Sequence, residues 1–269
     1  MLYKRDYLLG LTDEEKKEFK EVTGRDFSVK RIGGFGTANN FMAFPKAVRM
    51  CKMLFPNNYL DVAELHDTER LVKANDEFAN LINDEQCSER KILNFIRDKE
   101  YYHILGALIW GLSINIGNHG AYLFPEFQLG TSYKADYLLI GKNSGGYEFI
   151  LVELENPYGK ITLRDGELGA EFREGISQLE DWKRWLPANF ASYTEKLRKY
   201  KNPSLNLSDE FYTLDLSRFH YVVVAGRRSD FSEKTYILKR EYKKEKDIDV
   251  LHYDNLIDFS NNLIGKITY

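Results

Sequence analysis

The chain has 269 residues, of which 43% are hydrophobic and 29% charged; this composition is typical of a soluble globular protein and excludes a disordered, collagen-like or low-complexity chain. Its formal net charge of -3 neither requires nor excludes a polyanionic partner. The two cysteines, Cys51 and Cys87, are too few for a disulfide scaffold or a thiolate zinc site. Because the first residues lack the pattern of a secretory signal and no apolar run reaches membrane-spanning length, we expect a cytoplasmic protein.

The first part of the chain has helical signals. Thr12 is a candidate N-cap, and Glu15 completes a capping box with it. The glycine-rich stretch at 32–37 lacks the spacing of a phosphate-binding loop, so we interpret it as a turn without chemistry. A polar turn at 83–85 predicts a boundary between a mostly helical region at 1–85, with a regulatory or sensing role, and a second domain at 86–269.

The second region has alternating helix and strand signals. Ser88 predicts the cap of a helix beginning at Glu89, whose apolar stripe runs on to Leu108. Three strands in succession, with a hairpin turn at 143–146, predict an antiparallel meander. The predicted strands are 122–129, 135–140, 148–154, 220–225 and 248–252, with a helix at 168–186 and a last helix capped by Asp254. This order predicts an α/β fold, a mixed sheet flanked by helices.

Charge is unevenly distributed along this region. The segment from Glu126 to Asp181 has 5 basic and 11 acidic residues, whereas the segment from Trp182 to Lys246 has 15 basic and 8 acidic residues. This pattern suits a metal-dependent site that acts on a phosphate backbone, because carboxylates hold the metal while cations contact the polyanion. Solvated helix faces would give the same pattern.

Three acidic residues fall on the meander. Asp136 lies on its second strand, and Glu153 and Glu155 lie on the third, where alternation directs both side chains to one face. Carboxylates this close would repel one another, and a divalent cation would remove the conflict. Asp136, Glu153 and the main-chain carbonyl of Leu154 would then form an open magnesium site. Alternatively, the two glutamates could form the solvated face of an edge strand.

These segments resemble the PD-(D/E)XK nucleases and, within them, the Shedu anti-phage defence proteins. The likeness covers roughly residues 84–269 and lies in the order of its motifs. They are Ser88-Glu89-Arg90-Lys91, Pro125-Glu126-Phe127, Lys134-Ala135-Asp136-Tyr137, Glu153-Leu154-Glu155-Asn156, Ser177-Gln178-Leu179, Val224-Ala225-Gly226-Arg227 and Leu251-His252-Tyr253-Asp254. The resemblance implies a restriction-endonuclease-like core and a metal-dependent DNA endonuclease that cuts or nicks DNA in bacterial defence.

The resemblance also implies roles for individual residues. Asp136 and Glu153 would bind Mg²⁺, or Mn²⁺. Gln178, the acid Glu89 and the cation Lys134 would complete the catalytic set, with Gln178 and Lys134 positioning the scissile phosphate. The third position, usually lysine in this family, is Glu155. This glutamate could assist as a ligand or general base.

The exchange at position 155 could instead mean weakened or lost activity. A non-catalytic module that holds DNA ends or a protein partner therefore remains an alternative, as does a nuclease directed at RNA. The resemblance further implies a homo-oligomer, commonly a tetramer.

Four basic residues are candidates for DNA contact. Arg227 and Arg228 follow a buried strand, and Lys239 and Arg240 lie in a basic stretch further along the chain. Arginines at strand ends and lysines on solvated helices are also common without any ligand. The five histidines show no metal-ligand spacing.

Overall fold

The computed structural model describes residues 2–9, 12–17, 53–112, 114, 116 and 120–269. The glycine-rich stretch at 32–37 and Cys51 lie outside these residues. In the N-terminal region the predicted capping box is present: the Glu15 amide donates to Thr12 Oγ1 at 3.2 Å, and the Thr12 amide donates to Glu15 Oε2 at 2.8 Å. The expected mostly helical character of this region is confirmed in its described part.

A mixed sheet of five strands forms the centre of the protein, in the order β1-β2-β3-β4-β5. Strands β1, β2 and β3 pair antiparallel, as the meander predicted, and β4 and β5 continue the sheet in parallel. The strands are β1 (Ala121–Leu129), β2 (Tyr133–Asn143), β3 (Gly146–Leu154), β4 (Phe219–Val224) and β5 (Ile248–Leu251). The described α-helices of nine or more residues are α1 (Thr68–Asn83), α2 (Glu89–Lys99), α3 (His103–Gly111), α4 (Ala170–Arg198), α5 (Glu233–Lys246) and α6 (Tyr253–Leu263).

Helices cover both faces of the sheet, so the predicted α/β class is confirmed. On one face α1, α2, α3 and α6 form a core with alternate strand residues such as Ile150 and Val152. On the other face α4 packs against residues such as Leu151 and Phe149. Strand β3 is buried on both faces over most of its length because it lies in the middle of the sheet, between the two helical layers. Among the described helices, none has a stretch of the length and apolarity needed to span a membrane.

Three predicted element ends are wrong. The helix that begins at Glu89 stops at Lys99, because Glu100 adopts a left-handed φ of 56° and the Tyr101 amide closes back on the Ile96 carbonyl at 3.0 Å. Helix α4 does not end at Leu186: it kinks near Pro187 and continues to Arg198. The cap of α6 is His252, whose amide donates to Asn255 Oδ1 at 3.2 Å.

Asp254, the predicted cap, instead pairs with Arg227 at 2.8 Å. Arg227 also donates to the Ile82 carbonyl, to Asn83 Oδ1 at 3.0 Å and to the Tyr158 hydroxyl at 3.1 Å. Its guanidinium therefore joins the end of α1 to the start of α6, and its side chain is only 15% exposed. These contacts favour a structural role for Arg227.

We expect Arg227→Ala to lower the free energy of unfolding by about 2–4 kcal/mol, because Asp254 and the acceptors on α1 lose their partner in a partly buried setting. Urea denaturation measures this loss. Arg228→Ala is the matched control: Arg228 pairs with Asp258, its side chain is 54% exposed, and the change should cost less than about 1 kcal/mol. An equal loss in both variants would contradict the structural role.

Candidate active site

The sheet opens between β2 and β3 at one end. The β1–β2 pairing continues to Leu129 opposite Tyr133, but the β2–β3 pairing stops at Tyr137 opposite Val152. Beyond that pair, the backbone ladder of β2 continues with β1 alone, and Glu153 lies beside Val223 on β4. The backbone pairing of β2 with β3 therefore ends here, and we call the region around this end the cleft. Asp136 and Glu153 are the first residues past the last pair on each strand.

Asp136 closes the inner end of the cleft. Its Oδ2 accepts a hydrogen bond from the Leu154 amide at 2.8 Å, so a side chain replaces the strand carbonyl that would otherwise continue the ladder. The residue is 8% exposed. Burial raises the pKa of Asp136 well above its usual range, and the neighbouring charge of Glu89 adds to the shift, although the Leu154 amide opposes it. The carboxyl therefore tends to hold a proton when no cation is near.

Glu153 and Glu155 are equally buried, each at 6% exposure. Burial raises the pKa of both carboxyls, and for Glu153 the charges of Asp136 and Glu155 raise it further. Burial, followed by the charge of Glu89, raises the pKa of Glu155 to about 8. Glu153 Oε2 is buried and has no hydrogen-bond partner. A buried carboxylate oxygen without a partner is costly, and a proton or a hard cation would satisfy it.

Helix α4 lies directly over Glu155. Gln178 Nε2 donates to Glu155 Oε1 at 3.4 Å. One turn earlier, a Cβ added to Gly175 would lie 2.6 Å from Val223 Cγ2 and 3.1 Å from Glu155 Oε1. Glycine at this position therefore permits the helix to approach the strand closely enough for Gln178 to orient Glu155. Sequence reasoning missed Gly175, for which an isolated glycine inside a helical pattern was the available signal.

Glu89 reaches the cleft from the start of α2. Ser88 caps this helix as predicted, accepting from the Lys91 amide at 3.4 Å. Burial raises the pKa of Glu89, while the charges of Arg90 and Lys134 act in the opposite direction. Glu89 also contributes to the raised pKa values of Asp136, Glu153 and Glu155, so the four carboxyls interact as one electrostatic group.

Asn156 is a second residue that sequence reasoning missed. Its Oδ1 accepts from the Glu89 amide at 3.1 Å, and its Nδ2 donates to Glu171 Oε2 at 3.2 Å. It thereby ties the first turns of α2 and α4 to the end of β3. The signal was its place directly after Glu155 and before a proline, where a polar side chain leaves a buried strand.

The predicted basic residues take other positions. Lys134 Nζ pairs with Glu126 Oε1 at 2.6 Å beside the cleft. Arg227 and Arg228 pair with α6, and Lys239 is half-buried near Asp249, where burial lowers the pKa of its ammonium. Arg240 is exposed on α5. No hydrogen bond or ion pair among the described residues joins these last four to the cleft carboxyls, and their contact with DNA stays a prediction.

The donors at the cleft suit a hard cation in their chemistry. Asp136, Glu153 and Glu155 supply carboxylate oxygens, and Leu154 lies between the two glutamates. In the described part of the chain, no three or more His, Cys, Asp and Glu side chains are already in a metal-holding arrangement. A magnesium site can be formed with only two protein carboxylates, because Mg²⁺ keeps waters and substrate oxygens as its other ligands. The partnerless Glu153 Oε2 is the atom that fits such a cation best.

Comparison with known proteins gives one family. Residues 86–257 match the family model described as Shedu protein SduA, C-terminal, which covers more than half of the chain. No curated protein matches the chain.

The raised pKa values predict how stability depends on pH without a metal. Asp136, Glu153 and Glu155 titrate higher in the folded than in the unfolded protein, so their contribution is complete below about pH 4 and is lost as pH rises through the folded pKa values. We therefore expect the melting temperature in EDTA to fall from about pH 7.5 to about pH 9. In this range the two buried histidines, with pKa values lowered by burial to about 3 for His103 and about 4 for His252, are neutral in the folded state and almost entirely neutral in the unfolded state, where the pKa of histidine is about 6.5.

Glu153→Gln should flatten this profile, because it removes one titrating carboxyl and relieves the repulsion on Asp136 and Glu155. Thermal unfolding by circular dichroism measures the slope. Glu195→Gln, which alters an exposed carboxyl on α4 that pairs with Arg198 of the same helix, is the control and should keep the wild-type slope. An unchanged slope in Glu153→Gln would contradict the shared electrostatics of the cleft.

Proposed function

The chain belongs to the Shedu family, and from this premise together with the cleft we propose that it is a metal-dependent DNA endonuclease of bacterial anti-phage defence. The observation that carries the proposal is the set of four interacting carboxyls, with a buried oxygen of Glu153 that lacks a partner, where the sheet opens. Such a set favours a divalent cation. The proposed superfamily is PD-(D/E)XK, with a restriction-endonuclease-like core.

Each residue has a proposed role. Asp136, Glu153 and the Leu154 carbonyl would hold Mg²⁺, or Mn²⁺, which when bound would activate water and offset charge on the phosphate. Glu155 in its ionised form accepts a proton from the attacking water, and Gln178 keeps the Glu155 carboxylate oriented. Glu89 adds negative charge that strengthens cation binding. Lys134 positions the scissile phosphate.

Further expectations follow from the family. We propose that the protein acts in the cytoplasm as a homo-oligomer, for which a tetramer is the expected size. We also propose that residues 1–85 sense a trigger or restrain cleavage by 86–269. These proposals are supported by family membership and by the sequence, and not by a contact between copies.

A second candidate is a module that binds DNA ends or a protein without cleaving. Glu155 at the usual lysine position favours it, because Glu155 has no positive charge with which to lower the pKa of water or bind a phosphate. A third candidate, a nuclease for RNA, would use every residue of the same site. A substrate comparison between DNA and RNA of equal sequence separates this last case.

We expect the full chain to nick or cut supercoiled plasmid with Mg²⁺ or Mn²⁺ and not in EDTA. Asp136→Asn should lower the rate by about 100-fold or more, since the loss of several kcal/mol of transition-state stabilisation costs about tenfold per 1.4 kcal/mol. Gel separation of plasmid forms over time measures the rate. Glu155→Gln should also slow cleavage, because an amide cannot take up the proton.

Glu195→Gln is the control and should cleave at the wild-type rate. Thermal unfolding of each variant checks that it is folded. Binding of DNA with no cleavage, across both metals and for linear and supercoiled substrates, would overturn the nuclease and favour the module.

A further inference from the structure

Two cations share one carboxylate at the edge of the cleft. Lys134 Nζ lies 2.6 Å from Glu126 Oε1, and Arg90 Nη1 lies 3.8 Å from the same oxygen. The three residues come from three elements: Glu126 from β1, Lys134 from β2 and Arg90 from the first turn of α2. All three side chains are also exposed, by 42–64%. We call this group the rim.

The backbone holds Glu126 in an unusual place. Its φ is 47°, in the left-handed region that a non-glycine residue seldom adopts, and it lies between the pairs Pro125–Tyr137 and Phe127–Ala135. It is therefore directly across from Asp136, on the strand next to the cleft. A strained residue persists only where the surrounding structure fixes it, so the Glu126 carboxylate is set relative to the cleft by β1 and not by a flexible loop.

The two cations act on the cleft as well as on Glu126. The charges of Arg90 and Lys134 both lower the pKa of Glu89, and that of Lys134 lowers the pKa of Asp136, against the larger effect of burial. Both ammonium and guanidinium groups are thus within electrostatic reach of the carboxyls. With one carboxylate between two cations, the rim has an excess of positive charge beside a strongly acidic cleft.

DNA approaching the four carboxyls meets repulsion, so cations near the cleft are required for a phosphate backbone to enter. Arg227 joins α1 to α6, and no hydrogen bond or ion pair among the described residues places Arg228 beside the cleft carboxyls. We propose that Arg90 and Lys134 form a binding site for one or two DNA backbone phosphates at the cleft, with Glu126 as the positioning residue that directs both cations. The proposal rests on the proposed action on DNA.

The same helix offers a matched control group. At the other end of α2, Lys99 pairs with Glu77 at 3.2 Å, and Lys73 pairs with Glu77 at 3.9 Å. This is again one carboxylate between two exposed cations. Lys99 lies nine residues after Arg90, about 14 Å along the helix, so a change there alters the net charge equally but away from the cleft.

The test measures binding of a fluorescein-labelled duplex oligonucleotide to the full chain by anisotropy, in EDTA and again with Ca²⁺, over a series of salt concentrations. Arg90→Gln and Lys134→Gln should each weaken binding by about five- to tenfold at low salt and reduce the slope of log K against log salt by about 0.9, the value for one phosphate contact. Lys99→Gln and Lys73→Gln should leave the slope unchanged.

Glu126→Gln separates positioning from general charge. Removal of a negative charge near DNA should tighten binding if charge alone matters, whereas loss of the positioning group should weaken binding by about two- to fivefold despite the more favourable charge. Glu77→Gln is its control. Weaker binding in Glu126→Gln together with reduced slopes in the Arg90 and Lys134 variants supports the rim.

Slopes equal to those of the Lys99 and Lys73 variants, or tighter binding in Glu126→Gln, would each overturn the rim. No DNA binding by the wild-type protein would overturn both the rim and the proposed action on DNA. The first two outcomes are distinct from failure of the nuclease. If the protein binds DNA through Arg90 and Lys134 but cleaves nothing, the rim proposal is supported and the nuclease proposal is contradicted. If it cleaves DNA and the slopes of those variants are unchanged, the nuclease proposal is supported and the rim proposal is contradicted.

Discussion

Several carboxyl groups share a cleft from which water is largely excluded, and in such a place they cannot all be ionised without a compensating charge. Asp136, Glu153 and Glu155 are each more than nine-tenths buried; Asp136 and Glu155 both raise the pKa of Glu153, and Asp136 also raises that of Glu155. Without a metal, the folded chain therefore keeps some of these carboxyl groups protonated. A structural core would gain nothing from this arrangement, since apolar residues of similar size would pack at no electrostatic cost. The cost is explained if the cleft binds a cation.

The cleft forms where the backbone pairing of β2 with β3 ends. As long as β2 and β3 pair, their side chains belong to the two cores on either face. Where pairing stops, the Leu154 amide needs another acceptor, and Asp136 provides it. The same hydrogen bond that satisfies the backbone thus fixes the carboxyl in the cleft. Helices α2 and α4 then close the site from both sides, tied to the end of β3 by Asn156.

The sequence contained enough information for the elements and for the acids on them, because both are local properties. Alternation along β3 predicted that Glu153 and Glu155 share a face, and capping rules placed the start of α2 at Ser88. Three kinds of information were missing. The opening between β2 and β3 depends on pairing between strands, the approach of α4 depends on Gly175, and the contact of Asn156 spans 67 residues in the chain. No periodicity encodes these.

The contacts of the basic residues also depend on distant parts of the chain, so the sequence does not reveal them. A sequence reveals that Arg227 follows a buried strand, but not that three parts of the chain converge on its guanidinium. Arg90 and Lys134 lie 44 positions apart, and nothing in the sequence joins them, yet they meet on one oxygen of Glu126. Charge runs thus identify many cations, while function depends on the few that have no competing structural task and lie near the acids. In this protein those criteria select a pair that the longest basic stretch, on α5, does not include.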